Sequence, residues 1–149
     1  MNSYYCDTSA VIKWYHYEKG SEWIDSIFDD MNNSIIISEI TTVEFYSAIL
    51  KKLRTKEINN EAQVEVVKLF NKDCLERFII TNLNSTVLKK AQMLIKNYGE
   101  NNSIRTLDSI QLASYLSDRC QDSTFVCSDI NLVKISKFEG VNVVNPESI

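Results

Sequence analysis

The chain has 149 residues, of which 44% are hydrophobic and 24% charged, a balance typical of one globular domain with a sizeable core. Its net charge of −4 does not favour general binding of polyanions, so any basic surface for nucleic acid must be local. No apolar run approaches a membrane span, and the N-terminus lacks the pattern of a secretory signal, so we expect a cytoplasmic protein with no membrane partner.

The four cysteines are scattered along the chain without the paired spacing of a metal site: Cys6, Cys74, Cys120 and Cys127. Cys6 and Cys127 end apolar runs, and Cys120 falls on the apolar face of a predicted helix. We therefore expect small buried hydrophobic residues in a reducing compartment. His16 is the single histidine, so a hydrolase of this sequence would have to work without an imidazole base.

Short apolar runs alternate with longer segments of helical periodicity. The predicted strands cover 2–6, 34–38, 78–81, 124–127 and 141–144. The first two helices are predicted over 9–18 and 21–31, with caps at Thr8 or Ser9 and at Ser21. The later helices are predicted from Thr41 or Thr42 through Leu53, over 59–75, from Ser85 or Thr86 to Gly99, from Thr106, and over 130–138. Long helical crossovers between short apolar strands indicate a parallel sheet covered on both faces. The sequence thus predicts an α/β protein, a three-layer α/β/α sandwich with about five strands, as a single domain over 1–149.

Four acids fall at the same topological place, the edge where parallel strands end and helices begin. Asp7 follows the first strand, Glu44 and Asp108 lie in first turns of helices, and Asp129 follows the fourth strand. Each has an ordinary structural explanation, as a turn residue, as part of a capping box with Thr41, or as a complement to a helix dipole. Together they would repel one another without cations. Hard divalent cations prefer such oxygen ligands, so the set indicates a metal site and phosphoryl chemistry.

The four acids stand within motifs that resemble those of a known family. The motifs are Cys6-Asp7-Thr8-Ser9-Ala10-Val11-Ile12-Lys13, Thr42-Val43-Glu44-Phe45, Thr106-Leu107-Asp108-Ser109-Ile110-Gln111-Leu112-Ala113 and Phe125-Val126-Cys127-Ser128-Asp129-Ile130-Asn131-Leu132, with Asn145-Pro146 after the last strand. In this order they resemble the PIN-domain nucleases, and among them the VapC-like toxins of prokaryotic toxin–antitoxin pairs. The sequence departs from the family pattern at Ser128 and lacks the basic residue that often follows the last acid, where Ile130 and Asn131 stand.

The resemblance implies a PIN-like fold and a Mg²⁺- or Mn²⁺-dependent endoribonuclease. It makes Asp7, Glu44, Asp108 and Asp129 the catalytic metal ligands. It gives supporting roles to three polar residues near them: Thr8, Ser9 and Asn131. Hydrolysis by metal-activated water would leave a 5′-phosphate and a 3′-hydroxyl. The implied partners are an RNA substrate, a cognate antitoxin protein and a second copy of the chain in a homodimer.

The basic residues and the competing functions leave alternatives open. Lys13 and Arg105 flank the predicted rim, where each can meet substrate phosphates or be a solvated charge. The basic run over 51–56 fits the carboxyl end of a helix dipole better than RNA binding. The alternative functions are a PIN nuclease of RNA processing without toxicity and a non-catalytic PIN module that binds RNA or protein.

Overall fold

A computed structural model describes residues 1–117 and 122–149 of the chain. The strands in this part of the chain are β1 (Ser3–Cys6), β2 (Ser34–Ser38), β3 (Phe78–Thr81), β4 (Thr124–Val126) and β5 (Val143–Val144). The helices are α1 (Thr8–Tyr15), α2 (Ser21–Phe28), α3 (Thr41–Arg54), α4 (Asn60–Glu76), α5 (Ser85–Tyr98), α6 (Thr106–Ser117) and α7 (Ile130–Phe138), followed by a 3-10 turn over Pro146–Ser148.

The five strands form one parallel sheet in the order β3-β2-β1-β4-β5. In the centre, Tyr4 of β1 pairs with Ile35 of β2 on one side and Thr124 of β4 on the other. The chain leaves β1 toward β2 and β3, and then returns past β1 to β4 and β5. The strand order therefore reverses between β1 and β4, which is the place where open α/β sheets bind their ligands.

Helices cover both faces of the sheet. Side chains alternate along β1, so that Tyr5 joins the hydrophobic cluster on one face and Cys6 joins the cluster on the other. The Cys6 cluster contains side chains from α1, α2, α3 and α4, and the Tyr5 cluster contains side chains from α5, α6 and α7. The predicted three-layer α/β/α fold is confirmed.

Two helices begin at acidic residues that follow strands of the sheet. Asp7 is the N-cap of α1, where its carboxylate accepts a hydrogen bond from the amide of Ala10. Asp129 is the N-cap of α7 and accepts from the amide of Leu132. The prediction of Thr8 or Ser9 as the first cap is wrong, because the backbone is extended at Asp7 and already helical at Thr8. Both acids are thereby fixed at the edge of the sheet.

Other element ends also differ from the prediction. Asn84, rather than Ser85 or Thr86, caps α5 by accepting from the amide of Val87. The N-cap of α2 is Gly20 and not Ser21, whose hydroxyl donates instead to the carbonyl of Lys13. Helix α2 ends at Phe28, and β5 has only two residues because it pairs with the short strand β4.

The cysteines that the structure describes are free thiols. Cys6 and Cys127 are fully buried, as predicted, and Cys74 is partly exposed. The prediction for Cys120 lies outside the described residues. Among the helices of the described residues, none combines the length and the apolar character needed to cross a membrane.

Candidate active site

The four predicted acids line one cavity at the carboxyl edge of the sheet. This cavity of about 460 Å³ is bordered by Asp7, Glu44, Asp108 and Asp129. Asp7 and Asp129 follow β1 and β4, the two strands between which the strand order reverses. Glu44 and Asp108 stand in the first turns of α3 and α6. Distant parts of the chain thus bring four carboxylates to one opening.

Asp7 is the most deeply buried of these acids, with 5% of its surface exposed. Its Oδ1 accepts hydrogen bonds from Ser9 Oγ at 2.6 Å and from the Ala10 amide at 3.0 Å. The pKa of Asp7 is raised to about 7, mainly because the carboxyl group is buried. The two hydrogen bonds lower this pKa, and the negative charges of Asp108 and Glu44 raise it. Near neutral pH, Asp7 is therefore poised between its protonated and ionised forms, and a cation would favour the ionised form.

The loop after β4 is tied to the start of α1. The amide of Ser128 donates to Ser9 Oγ at 3.1 Å, so the hydroxyl that orients Asp7 also holds the residue before Asp129. Burial raises the pKa of the Cys127 thiol, and the charges of Asp7, Asp129 and Asp108 raise it further. The three carboxylates are thus close enough to act on one buried group.

Glu44 is held by hydrogen-bond donors from two other helices. Its Oε1 accepts from Thr8 Oγ1 at 2.9 Å and from Gln111 Nε2 at 2.8 Å. The same Gln111 amide donates to Thr41 Oγ1 at 2.9 Å. The capping-box interpretation of Thr41 and Glu44 is wrong, because the N-cap of α3 is Ile40, with no side-chain cap bond, and Glu44 faces α1 and α6.

Gln111 is a site residue that the sequence analysis missed. It is 2% exposed, and it follows Asp108 by one turn of α6, so both side chains lie on the helix face toward the cavity. Its place among the apolar residues of a buried helix is a signal that could have revealed it, because a buried amide needs hydrogen-bond partners.

Arg105 supplies positive charge at the rim. Its Nε lies 3.0 Å from Asp108 Oδ2, and its Nη2 lies 3.9 Å from Asp129 Oδ2. The hydrogen bond to Asp108 raises the pKa of the guanidinium, which stays charged. With 76% of its side chain exposed, Arg105 bridges two of the acids from the solvent side and partly offsets their repulsion.

Lys13 is not at the rim, contrary to the prediction that it can meet phosphates. Its side chain is 2% exposed, and its Nζ lies 3.0 Å from Glu18 Oε1 and 2.7 Å from Glu147 Oε1. The two carboxylates enclose the ammonium group and leave it no access to a ligand. Asn131 is exposed in the first turn of α7 and does not line the cavity, so its supporting role stays a prediction.

The sequence profile of the PIN domain matches residues 4–136, which include all four acids. The chain belongs to the PIN domain family. No curated protein matches the sequence.

Solved structures share the fold of this PIN domain at low sequence identity. The VapBC2 structure from Rickettsia felis, bound to a DNA fragment from its promoter, has a TM-score of 0.63 at 16% identity and covers 96% of this chain and 98% of that chain. VapC20 from Mycobacterium tuberculosis, a sarcin–ricin loop cleaving toxin, has a TM-score of 0.67 at 11% identity and covers 93% and 95%. DNA-bound VapBC from Salmonella typhimurium has a TM-score of 0.65 at 12% identity and covers 98% and 99%.

The residues of this PIN domain fit a divalent cation by the chemistry of their donors. Four carboxylates around one cavity form the all-oxygen set that Mg²⁺ and Mn²⁺ prefer. In residues 1–117 and 122–149, no group of three or more His, Cys, Asp or Glu side chains is arranged to hold an ion. Glu44 and Asp108 are instead engaged by Gln111 and Arg105. A cation at Oδ2 of Asp108 would therefore compete with Arg105.

Proposed function

We propose that this PIN domain is a divalent-metal-dependent endoribonuclease that hydrolyses RNA phosphodiesters, and that it is the toxin of a toxin–antitoxin pair. Membership of the PIN domain family supports nuclease activity. The observation that carries the proposal is the set of four carboxylates, Asp7, Glu44, Asp108 and Asp129, around one cavity where the strand order reverses. A carboxylate-rich site of this kind suits a reaction at phosphate that is assisted by Mg²⁺ or Mn²⁺.

In this mechanism the four carboxylates would hold the cation, and hydrogen-bond donors from neighbouring residues orient the carboxylates. Ser9 and the Ala10 amide fix one oxygen of Asp7, which leaves the other oxygen to a ligand. Thr8 and Gln111 fix Oε1 of Glu44 in the same way. When bound, the metal supplies Lewis acidity that activates water near neutral pH and offsets charge on the phosphate.

Arg105 has a role in binding substrate in this proposal. A guanidinium has donors in a planar fork that matches phosphate oxygens as well as carboxylate oxygens. A cation held by Asp108 and Asp129 would weaken their attraction for Arg105, whose guanidinium would then be free to contact the RNA backbone. Its high exposure allows this movement.

The partners of the protein are proposed from its structural neighbours. The VapBC structures from Rickettsia felis and Salmonella typhimurium are bound to DNA, and VapC20 is a toxin that cleaves the sarcin–ricin loop. By analogy we propose a cognate antitoxin for this chain, and the homodimer stays a prediction from the family resemblance. Single-stranded or loop RNA is the substrate class, because unstacked bases and an accessible backbone suit an open cavity.

The decisive experiment is cleavage of total RNA with Mg²⁺, with Mn²⁺ and with EDTA, followed by mapping of the cut ends. We expect metal-dependent cuts with 5′-phosphate and 3′-hydroxyl ends. Asp7→Asn and Asp108→Asn should each lower the rate by at least about a hundredfold, since each removes a charge at the reacting centre. Glu65→Gln, at an exposed position of α4, is the matched control and should cleave normally. Equal cleavage by the parent and both aspartate variants would refute the proposed site.

Two further measurements separate the alternative functions. Growth arrest on expression, relieved by a small neighbouring gene, distinguishes a toxin from a nuclease of RNA processing. One observation favours a non-catalytic module: Glu44 and Asp108 are bound by the protein's own donors. Calorimetric titration with Mn²⁺ tests this alternative, because a module without catalysis should release no heat of binding that depends on Asp7.

A further inference from the structure

The basic run over 51–56 divides into residues with different surroundings. Lys52 is largely buried, and its Nζ lies 3.2 Å from Glu18 Oε2 and 3.7 Å from Glu57 Oε1. Lys51 is exposed, lines the acidic cavity, and makes no ion pair within the described part of the chain. The cavity is thus bordered by two cations, Lys51 and Arg105, of which Arg105 is already bound to acids.

Lys51 and Glu44 lie on the same face of α3. Four residues of this helix border the cavity at the spacing of one helical face: Glu44, Ser47, Ala48 and Lys51. With a rise of 1.5 Å per residue, Lys51 stands about 10 Å along the helix axis from Glu44. Ser47 and Ala48 are small, so no long side chain of α3 stands between the acids and the ammonium group. Glu18 also borders the cavity, but its carboxylate is already held by Lys13 and Lys52, so the ammonium group of Lys51 stays available to a ligand.

We propose that Lys51 binds a backbone phosphate of the RNA one or two nucleotides from the scissile phosphate and so positions the strand along α3. This inference rests on the proposed function, because it takes the four acids as the cutting centre. An ammonium group binds phosphate as a point charge without reading the base, which suits a positioning contact.

The first test compares Lys51→Ala with the parent on a short single-stranded RNA that contains one mapped cleavage site. We expect kcat/KM to fall about two- to fivefold, mainly through KM, because one exposed charge contact is lost. The slope of log affinity against log salt should become shallower by about 0.7, the value for one phosphate contact on a single strand. Lys51→Arg should restore most of the loss. Lys68→Ala, at an exposed position of α4 away from the cavity, should match the parent.

The second test locates the phosphate that Lys51 binds. Uncharged methylphosphonate linkages replace single phosphates near the mapped cut, first on its 5′ side and then on its 3′ side. At one position, the methylphosphonate should lower cleavage by the parent as much as the Lys51→Ala substitution lowers cleavage of unmodified RNA. The same methylphosphonate should cause no further loss in Lys51→Ala. This non-additive result identifies a direct pair, because independent contacts would add.

Binding measured by fluorescence anisotropy gives a readout apart from cleavage. Here the Asp7→Asn variant, which does not cleave, is compared with the double variant that also carries Lys51→Ala. The double variant should bind RNA more weakly and with a shallower salt slope, as Lys51→Ala does relative to the parent. If the parent cuts RNA while Lys51→Ala matches Lys68→Ala in KM and salt slope, the role of Lys51 is refuted and the proposed function stands. If every methylphosphonate effect is additive with Lys51→Ala, the role is likewise refuted. A parent protein that cuts no RNA would refute both.

Discussion

Asp7 combines deep burial with a charge that the proposed chemistry requires. Its pKa is about 7 in the folded protein and 3.8 as the ordinary value, so the folded state binds the proton more tightly. The stability that this proton contributes is complete below about pH 4 and is lost as the pH rises through 7. Above that pH, the metal-free protein carries an unfavourable buried carboxylate.

We therefore expect Asp7→Asn to change how stability depends on pH. Asparagine keeps the helix cap and cannot ionise. In EDTA, the variant should be more stable than the parent at about pH 8, and the difference should shrink steadily toward pH 5. Urea unfolding across this range measures it. Parallel pH profiles of the two proteins would show that Asp7 titrates normally.

Arg105 competes with any cation for the same carboxylates. We expect Arg105→Gln to bind Mn²⁺ more tightly than the parent by up to about fivefold, since exposed ion pairs contribute at most about 1 kcal/mol. Calorimetric titration measures the change. Arg54→Gln is the matched control because it removes the same charge from an exposed residue that does not border the cavity. If both variants gain Mn²⁺ affinity equally, the effect comes from the net charge of the protein and not from the ion pairs of Arg105.

At the scale of single residues, the sequence located the acids, and the family resemblance named Thr8 and Ser9 near them, but neither pointed to Gln111. The placement of Asp7 and Asp129 follows from a general rule for strand ends. Gln111 could not be paired with Glu44, 67 residues away, without knowing how α3 and α6 pack. Lys13 was misplaced for the same reason, since its partner Glu147 lies 134 residues farther along the chain.

The joint between α1 and α2 leaves no room for a side chain at Gly20. Gly20 has φ of 90°, and a Cβ added to it would lie 2.9 Å from the carbonyl carbon of Pro146 and 3.0 Å from its oxygen. The C-terminal turn packs against this point, and Glu147 of that turn also holds Lys13. The backbone contact thus fixes the C-terminal turn to the start of α2, and the ion pair between Glu147 and Lys13 fixes it to α1.

Gly20→Ala should therefore be more harmful than an ordinary glycine substitution. Gly140, with φ of 73° and no atom within 4 Å of an added Cβ, is the matched control. Gly140→Ala should cost about 1–2 kcal/mol of stability for its left-handed backbone alone. Gly20→Ala should cost about 1–3 kcal/mol more, because the Pro146 backbone must move. Equal losses in urea unfolding would mean that the C-terminal turn adapts freely.

At the scale of elements, hydrophobic periodicity predicted the strands and helices but not which polar residue starts a helix. Several neighbouring residues can cap, as at Asp7-Thr8-Ser9 and Asn84-Ser85-Thr86. The structure selects the residue at which the backbone changes from extended to helical, which is Asp7 in α1 and Asn84 in α5. This choice depends on where the preceding strand ends in the sheet, and local propensity does not specify it.

For the whole molecule, the alternation of strands and helices predicted a parallel sheet covered on both faces. It did not predict the strand order β3-β2-β1-β4-β5, because that order depends on packing between segments distant in sequence. The order matters for function, since it places β1 and β4 side by side and joins Asp7 with Asp129 at one cavity.

Four acids gathered in this way should link metal binding to the stability of the entire domain. A cation that binds only the folded state at a hundred times its dissociation constant adds about 2.7 kcal/mol. For a chain of this size we expect Mn²⁺ to raise Tm by about 5–10 °C. The rise should be larger at pH 8 than at pH 6, because below pH 7 a proton competes for Asp7.

Thermal unfolding of the parent and its variants with and without Mn²⁺ measures this linkage. Asp108→Asn should lose most of the rise in Tm, and Glu65→Gln should keep it. Asp7→Asn should lose both the rise and its dependence on pH, because the titrating ligand is gone. An equal rise in all four proteins would place the bound Mn²⁺ elsewhere on the acidic surface, and the carboxylates at the end of β1 and β4 would then have only their roles as helix caps.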